Sequence, residues 1–200
     1  MQTSLFSRDT NLLPYKGEAY LYPRFFTKQE SAAYFKELLD TIAWKQEPIK
    51  IFGREVMQPR LTAWHGDANK PYTYSGVTMQ PQPWTPALTA IKEKTEQAAG
   101  VVFSSALLNL YRNAADGMGW HRDNEKELGI NPVIGSVSFG AVRLFKLRDY
   151  YNKDVSKSVD LGDGSFLLMT GETQHYWEHA VPKTSKQAGV RINITFRIIK

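Results

Sequence analysis

In the segment WHRDN, His121 and Asp123 stand two residues apart, so an extended backbone points an imidazole and a carboxylate to the same face. A third nitrogen ligand is available downstream in HYWEHAVP, from His175 or His179. Two imidazoles and one carboxylate form the facial set that leaves three positions open on non-haem Fe(II), enough for oxygen and a bidentate co-substrate. H-x-D alone is a weak signal, and a chance pair on a surface loop explains it as well.

The C-terminal segment RINITFR strengthens the reading. It alternates strictly, with Arg191, Asn193, Thr195 and Arg197 on one face of a strand and Ile192, Ile194, Phe196 and Ile198 on the other. A polar strand face usually meets water. Two guanidiniums beside a metal set have a more specific guest, a small dicarboxylate held by charge-assisted fork contacts. In NLYRN, Asn109 and Tyr111 are again two apart, and both side chains can hydrogen-bond a carboxylate.

These groups need a scaffold of short strands. After Gly100 the runs VVFSSALLNLYRN, GSVSFGAVRLFKLR, SFLLMTG and VRINITFRII are separated by turn residues, the pattern of a sandwich or jelly-roll. Ahead of them the sequence predicts two helices. The first is capped by Thr27 and Glu30 and carries Phe35, Leu38, Leu39 and Ile42 at helical spacing. The second opens at Thr85 with Pro86 in its first position and stops at Gly100. Between the helices, IFGREVMQPRLTAWHGDANKPYTYSG reads as exposed hairpins and loops.

With 42% hydrophobic and 22% charged residues among 200, the composition is that of one folded domain. The absence of cysteine excludes disulfides, thiolate metal sites and cysteine nucleophiles. A net charge of +5 favours a polyanionic partner. No basic-then-apolar leader opens the chain, and no apolar run approaches the roughly 20 residues of a membrane span, so the expectation is a soluble cytoplasmic protein, nuclear if eukaryotic. A monomer without obligate protein partner is expected.

The ordered motifs N-L-Y, H-x-D, S-x-S-x-G-A, H-x-x-P and R-x-N-x-T-F-R, from about Lys50 to Arg197, resemble the AlkB family of 2-oxoglutarate dioxygenases, especially its DNA-repair members. The resemblance implies a mainly β fold: a double-stranded β-helix core over 101–200, preceded over 1–100 by helices and a nucleotide-recognition lid, all one integrated domain. It selects His179, followed by Ala180-Val181-Pro182, as the third ligand beside His121 and Asp123, leaving His175 as a pocket-edge or core histidine. It implies Fe(II), 2-oxoglutarate and O2 as cofactor and co-substrates. Arg191 and Tyr111 would meet the far carboxylate of 2-oxoglutarate, Asn109 and Arg197 its chelating end, with Asn193 and Thr195 lining the pocket.

The implied reaction couples decarboxylation of 2-oxoglutarate to hydroxylation of an N-methyl group, whose hemiaminal collapses to formaldehyde. The implied partner is alkylated DNA carrying 1-methyladenine or 3-methylcytosine. The alternatives are the same chemistry on RNA or tRNA, a non-catalytic nucleic-acid-binding relative, and a hydrolytic zinc enzyme. A base inside a duplex must be extruded to react. Phe52 resembles the finger that fills the gap, and Arg60, Tyr72, Tyr74 and Ser75 resemble the lid over the flipped base. Lys50, Arg54, Arg60 and Lys70 are candidates for phosphate contacts, whereas Trp64, His65 and Trp120 are read as packing. The position after Asp123, often a second Asp in repair members, is Asn124, which brings no charge toward a cationic base; Glu125 is the compensating candidate.

Overall fold

The computed structural model describes residues 10–51, 54–68, 72–74, 77–79 and 81–200, with side chains of 49–51, 54, 72–74 and 77–79 left aside. Two antiparallel sheets face each other. The six-stranded sheet comprises, in order across it, β1 (Glu18–Tyr22), β12 (Ser165–Thr170), β9 (Ile134–Gly140), β14 (Arg191–Arg197), β7 (Ser105–Tyr111) and β4 (Leu61–Gly66). The four-stranded sheet runs β11 (Ser156–Leu161), β10 (Arg143–Asp149), β13 (Trp177–Val181), β8 (Met118–His121). From β7 onward the chain crosses repeatedly between the two sheets, which is the double-stranded β-helix of a jelly-roll.

The crossing is sharpest after β9. Gly140 has φ +87°, and a Cβ there would lie 2.5 Å from the Val190 carbonyl oxygen, so only glycine lets the chain turn directly into β10.

Helices α1 (Lys28–Thr41) and α2 (Pro86–Ala99) pack on the outer face of the six-stranded sheet. Both form where their caps predict. Thr27 Oγ1 accepts from Glu30 N and Glu30 Oε2 accepts from Thr27 N (3.2 and 2.7 Å), and α2 runs from its Thr85 cap to Gly100 in the left-handed region. Leu38, Leu88 and Ile91 meet Ile192, Ile194 and Phe196 of β14 in this outer core. A second core, between the sheets, contains Leu107, Phe145, Leu147, Met169 and Trp177. Period-two alternation therefore sends the apolar residues of β14 to the helices and its polar residues into the space between the sheets.

Two hairpins, β2 (Pro48–Ile51) with β3 (Arg54–Met57) and β5 (Tyr72–Tyr74) with β6 (Val77–Met79), pair only internally. The expectation of an exposed segment fails at Leu61–Gly66: β4 pairs along β7 from Leu61↔Leu110 to Gly66↔Ser105, and Trp64 and His65 are buried. Its mixed composition conceals a two-sided strand, with Ala63 against the helices and Trp64 against the inner core. No helix among the described residues is long and apolar enough to cross a membrane.

Candidate metal and co-substrate site

Strand pairing brings the metal candidates together. His121 ends β8 directly opposite His179 on β13, and Asp123 follows two residues later, just past the strand. One ligand atom from each of His121, Asp123 and His179 lies within 4.8 Å of the others, and they are the one such His/Asp/Glu group among the described residues. His179 Nε2 is 3.7 Å from Asp123 Oδ2, and the two imidazoles meet edge-on with centroids 4.2 Å apart.

The surroundings fix each ligand's chemical state. Gly119 O can only accept, so at 2.9 Å it holds the His121 proton on Nδ1 and leaves the Nε2 lone pair for the cluster. Burial, reinforced by the neighbouring His121, pushes His179 down to about 3 against the pull of Asp123, keeping its imidazole neutral and able to coordinate. Asp123 is 1% exposed, which works to raise its pKa. Arg197, His179 and His121 more than offset that burial and hold the carboxyl at about 2, ionised. Arg197 Nη2 donates to Asp123 Oδ1 (2.6 Å), and Asp123 N donates to Gln174 Oε1 (2.9 Å), so the carboxylate is clamped from side chain and backbone.

The same cavity continues along β14, lined by Asn109, Tyr111, Ser136, Arg191, Asn193, Thr195 and Arg197. The polar face of RINITFR thus faces inward, and every residue of β14 is buried. Arg191, 1% exposed, donates through Nη2 to Ser138 Oγ (2.8 Å), while its Nε and Nη1 find no acceptor among the described protein atoms. Tyr111 lies beside it, with the ring centroid 5.0 Å from Cζ. Burial pushes the Arg191 guanidinium below its ordinary value and Tyr111 partly opposes it, with no carboxylate in salt-bridge range among the described residues. Asn193 spends its amide donors on Ser136 Oγ and Val137 O (2.8 and 2.9 Å), and Thr195 donates to Asn193 Oδ1 (3.2 Å), forming a wall and not a set of free donors.

Outside the cavity the expectations divide. Arg60 is 4% exposed, with Nε donating to Asn109 Oδ1 (2.7 Å); it is buried against a residue of the cavity wall, not displayed on a lid. Asn124 is exposed beside the metal set, and Glu125 is half-buried with Oε2 enclosed and without a hydrogen-bond partner among the described residues. His175 lies on the short helix α3 (Thr173–Tyr176), half-buried, and its carbonyl accepts from Arg122 Nη1 (3.1 Å). Trp120, read as packing, is 37% exposed under the Arg148 guanidinium. Phe52, Lys70 and Ser75 lie outside the described residues; Tyr72 and Tyr74 sit on β5, opposite Met79 and Val77, and Lys50 and Arg54 on β2 and β3. Sequence reasoning missed Gln174 as the partner of Asp123, because nothing local in THE segment TQHY signals a contact 51 residues away. Ser136 and Ser138 were visible only as the two serines of S-x-S-x-G-A, two apart and therefore on one strand face.

A model of the 2OG-Fe(II) oxygenase superfamily matches residues 18–197. The human alpha-ketoglutarate-dependent dioxygenase alkB homolog 3 is 41% identical over 189 residues, 90% of this chain and 65% of that protein. The DNA oxidative demethylase ALKBH2 of Mus musculus is 34% identical over 203 residues, 96% of this chain and 85% of the relative, and the human ALKBH2 is 36% identical over 188 residues, 89% and 72%. The solved structure of OsALKBH1 superposes with a TM-score of 0.67 at 18% identity, over 94% of this chain and 99% of that one, a likeness of fold. The chain therefore belongs to the 2OG-Fe(II) oxygenase superfamily and, within it, to the AlkB family. It spans 65% of the length of the human alkB homolog 3 it matches.

The side chains fit the two groups this family is named for. The neutral imidazole of His179, the Nε2 of His121 and the ionised carboxylate of Asp123 suit Fe(II). A buried guanidinium with two nitrogens, Nε and Nη1, unanswered among the described residues suits a carboxylate.

Proposed function

We propose that this chain is an Fe(II)- and 2-oxoglutarate-dependent dioxygenase that removes N-methyl groups oxidatively from alkylated bases in DNA, 1-methyladenine and 3-methylcytosine among them. The observation that carries this reading is that Arg191, its Nε and Nη1 unanswered, lines one cavity with His121, Asp123 and His179. A metal site alone would serve a hydrolase; a metal site with an anion-seeking guanidinium in the same cavity calls for a carboxylate co-substrate. The likeness to human alkB homolog 3 supports a 2-oxoglutarate-dependent dioxygenase, and the likeness to the DNA oxidative demethylases ALKBH2 supports the choice of methylated DNA.

In this reading His121, Asp123 and His179 hold Fe(II), which when bound supplies the oxygen activation that links co-substrate decarboxylation to methyl hydroxylation. Arg191 and Tyr111 grip the remote carboxylate of 2-oxoglutarate. Arg197 keeps Asp123 ionised and oriented. Glu125, two residues after Asp123, is the carboxylate nearest in sequence for a cationic methylated base, and residues 1–100 contribute the recognition hairpins. The positive charge of the chain, +5, favours the DNA backbone.

The test is incubation of the Fe(II)-loaded protein with 2-oxoglutarate and an oligodeoxynucleotide carrying 3-methylcytosine, followed by mass spectrometry of the oligonucleotide and an assay for formaldehyde. Loss of 14 Da (~ one methylene, the methyl-for-hydrogen exchange) with stoichiometric formaldehyde is expected. Competent 2-oxoglutarate turnover with every methyl retained on DNA, or removal from RNA only, overturns the reading.

A further inference from the structure

Arg60 is a buried cation that the reaction as derived does not use. It leaves the loop before β4, where Leu61 pairs with Leu110 and Thr62 with Asn109, and reaches across to β7 behind the cavity. Asn109 lines the cavity; Arg60 meets it from the far side, Nε to Oδ1 at 2.7 Å, with Nη1 to Gly117 O at 3.4 Å. Both side chains are almost fully enclosed, at 4% and 1% exposure. Among the described residues Arg60 has no carboxylate in salt-bridge range. Its fork is spent on one amide oxygen and one backbone carbonyl.

The polarity of this contact is decided by chemistry. Guanidinium has five donors and no acceptor, so whichever way an amide is drawn, the atom of Asn109 that faces Arg60 is its oxygen. The Nδ2 donors must then point the other way, toward the cavity, where a carboxylate can accept them. Left to itself, a buried amide can rotate by half a turn and present oxygen instead, which would repel that carboxylate.

A second tie fixes the distance. Gly117 N donates to Pro59 O (3.0 Å) while Gly117 O accepts from Arg60, so the loop that feeds β8 and His121 is fastened to the same two residues. A Cβ at Gly117 would stand 2.9 Å from Val181 O, so this approach of three backbones depends on glycine.

We propose that Arg60 is a positioning residue for the co-substrate: by holding Asn109 Oδ1 it locks the amide with its donors toward the bound 2-oxoglutarate carboxylate. The inference rests on the reading of this cavity as a 2-oxoglutarate site, and it replaces the lid role expected for Arg60 by one exerted through Asn109.

The test measures 2-oxoglutarate binding without turnover, by calorimetry on the full chain loaded with Mn(II), alongside the Mn(II) affinity and the KM for methylated oligonucleotide. Arg60→Met is expected to raise the 2-oxoglutarate Kd about tenfold, the value of one hydrogen bond to a charged group, with Mn(II) affinity and oligonucleotide KM within about twofold. Arg60→Lys, which still donates to Oδ1, should recover part of that loss. Asn109→Asp keeps an oxygen for Arg60, forms an ion pair with it and turns a second acceptor on the cavity. It should fold with undiminished melting temperature and yet lose 2-oxoglutarate affinity by about tenfold or more. This variant decides the matter should Arg60→Met fail to fold. An unchanged 2-oxoglutarate Kd in Arg60→Met, a rise confined to the oligonucleotide KM, or wild-type co-substrate affinity in Asn109→Asp overturns the proposal. Failure of the wild-type protein to bind 2-oxoglutarate overturns the parent reading with it, whereas binding that survives Arg60→Met overturns this inference alone.

Discussion

β14 and the β2–β3 hairpin are both antiparallel ladders, yet they sit at opposite ends of the molecule's range of constraint. β14 is hydrogen-bonded on both edges, to β9 and β7, and all seven of its residues are buried. Arg191 is paired on both sides, with Tyr111 and Gly140, and Arg197 with Ser105 of β7. β2 and β3 pair only with each other, and Val56 and Met57 are 45% and 51% exposed. The pairing at the hairpin's base, Gln58 N to Glu47 O at 3.2 Å and Lys45 opposite Thr62, ties it to the body. The polar wall of the cavity is built into this doubly paired strand, whereas the hairpin pairs with neither large sheet.

The largest effect that would test this division comes from the metal set. His179→Ala should reduce 2-oxoglutarate turnover to succinate by more than about a hundredfold, since even partners one shell out from a metal are worth 10–100-fold. Loss of that order with intact folding by circular dichroism is the expected result. Retention of turnover would mean that the buried cavity is not the reaction centre, and the contrast with the hairpin would collapse.

Next comes the hairpin itself. Replacing residues 49–56 by a short turn keeps the Glu47–Gln58 closure and touches no strand of either large sheet. Methyl removal from an oligonucleotide should fall by about tenfold or more, while the 2-oxoglutarate and Mn(II) dissociation constants change by less than about twofold. A parallel loss of co-substrate binding would show that the hairpin braces the cavity after all.

The legibility of the sequence follows the same division of constraints, with one reversal. Whatever is set by neighbours along the chain could be read: Thr27 with Glu30, Thr85-Pro86 with Gly100, and the alternation of RINITFR. That alternation gave the two faces of β14 but not their environment, because water and a buried anion site both want a polar face. Only the second sheet, folding over from β8, β10, β11 and β13, decides between them. β4 was obscured because its burial depends on β7, whose paired residues lie 39 to 49 positions further along the chain. The contacts Arg60–Asn109 and Gln174–Asp123 span 49 and 51 residues, and no local pattern encodes which polar side chains will meet across that separation. β1 and β11 were missed for a related reason: they are edge strands, and SKSVDL is too polar and too exposed to show a strand pattern.

A third, smaller effect concerns acid stability of the metal-free protein. Burial first, then the neighbouring His121, holds His179 at about 3, against an ordinary value of 6.5. The unfolded chain therefore takes up that proton first. The contribution of the neutral imidazole is complete above about pH 6.5 and is lost as pH falls from there toward 3, at about 1.4 kcal/mol per pH unit. His65, depressed by burial in β4 despite its contact with Pro83 O, acts with the same sign. The hairpins contain no histidine, so they contribute nothing to this slope. Urea unfolding between pH 7 and 5 should show stability falling with pH and a shallower fall in His179→Gln; an equal slope in that variant would place the sensitivity elsewhere.

The smallest effect sits on the border between the two regions. Asn124 is exposed, immediately after the clamped Asp123, and next to it Glu125 holds an enclosed oxygen without a hydrogen-bond partner among the described residues. On the proposed function a cationic base entering here would meet the Glu125 carboxylate, and Asn124→Asp would add a second. Because position 124 faces solvent, the added attraction is screened and is worth at most about 1 kcal/mol, a gain of roughly three- to fivefold. The expected result is a rise of that size in kcat/KM for 3-methylcytosine relative to a neutral N-methylated base, with co-substrate Kd unchanged. Glu125→Gln should lower the same ratio by more, since its carboxylate is the better enclosed of the two. If both variants leave the ratio alone, base charge is read from the hairpin side, and the boundary between the fixed and the adaptable regions lies closer to the metal than the exposure of Asn124 implies.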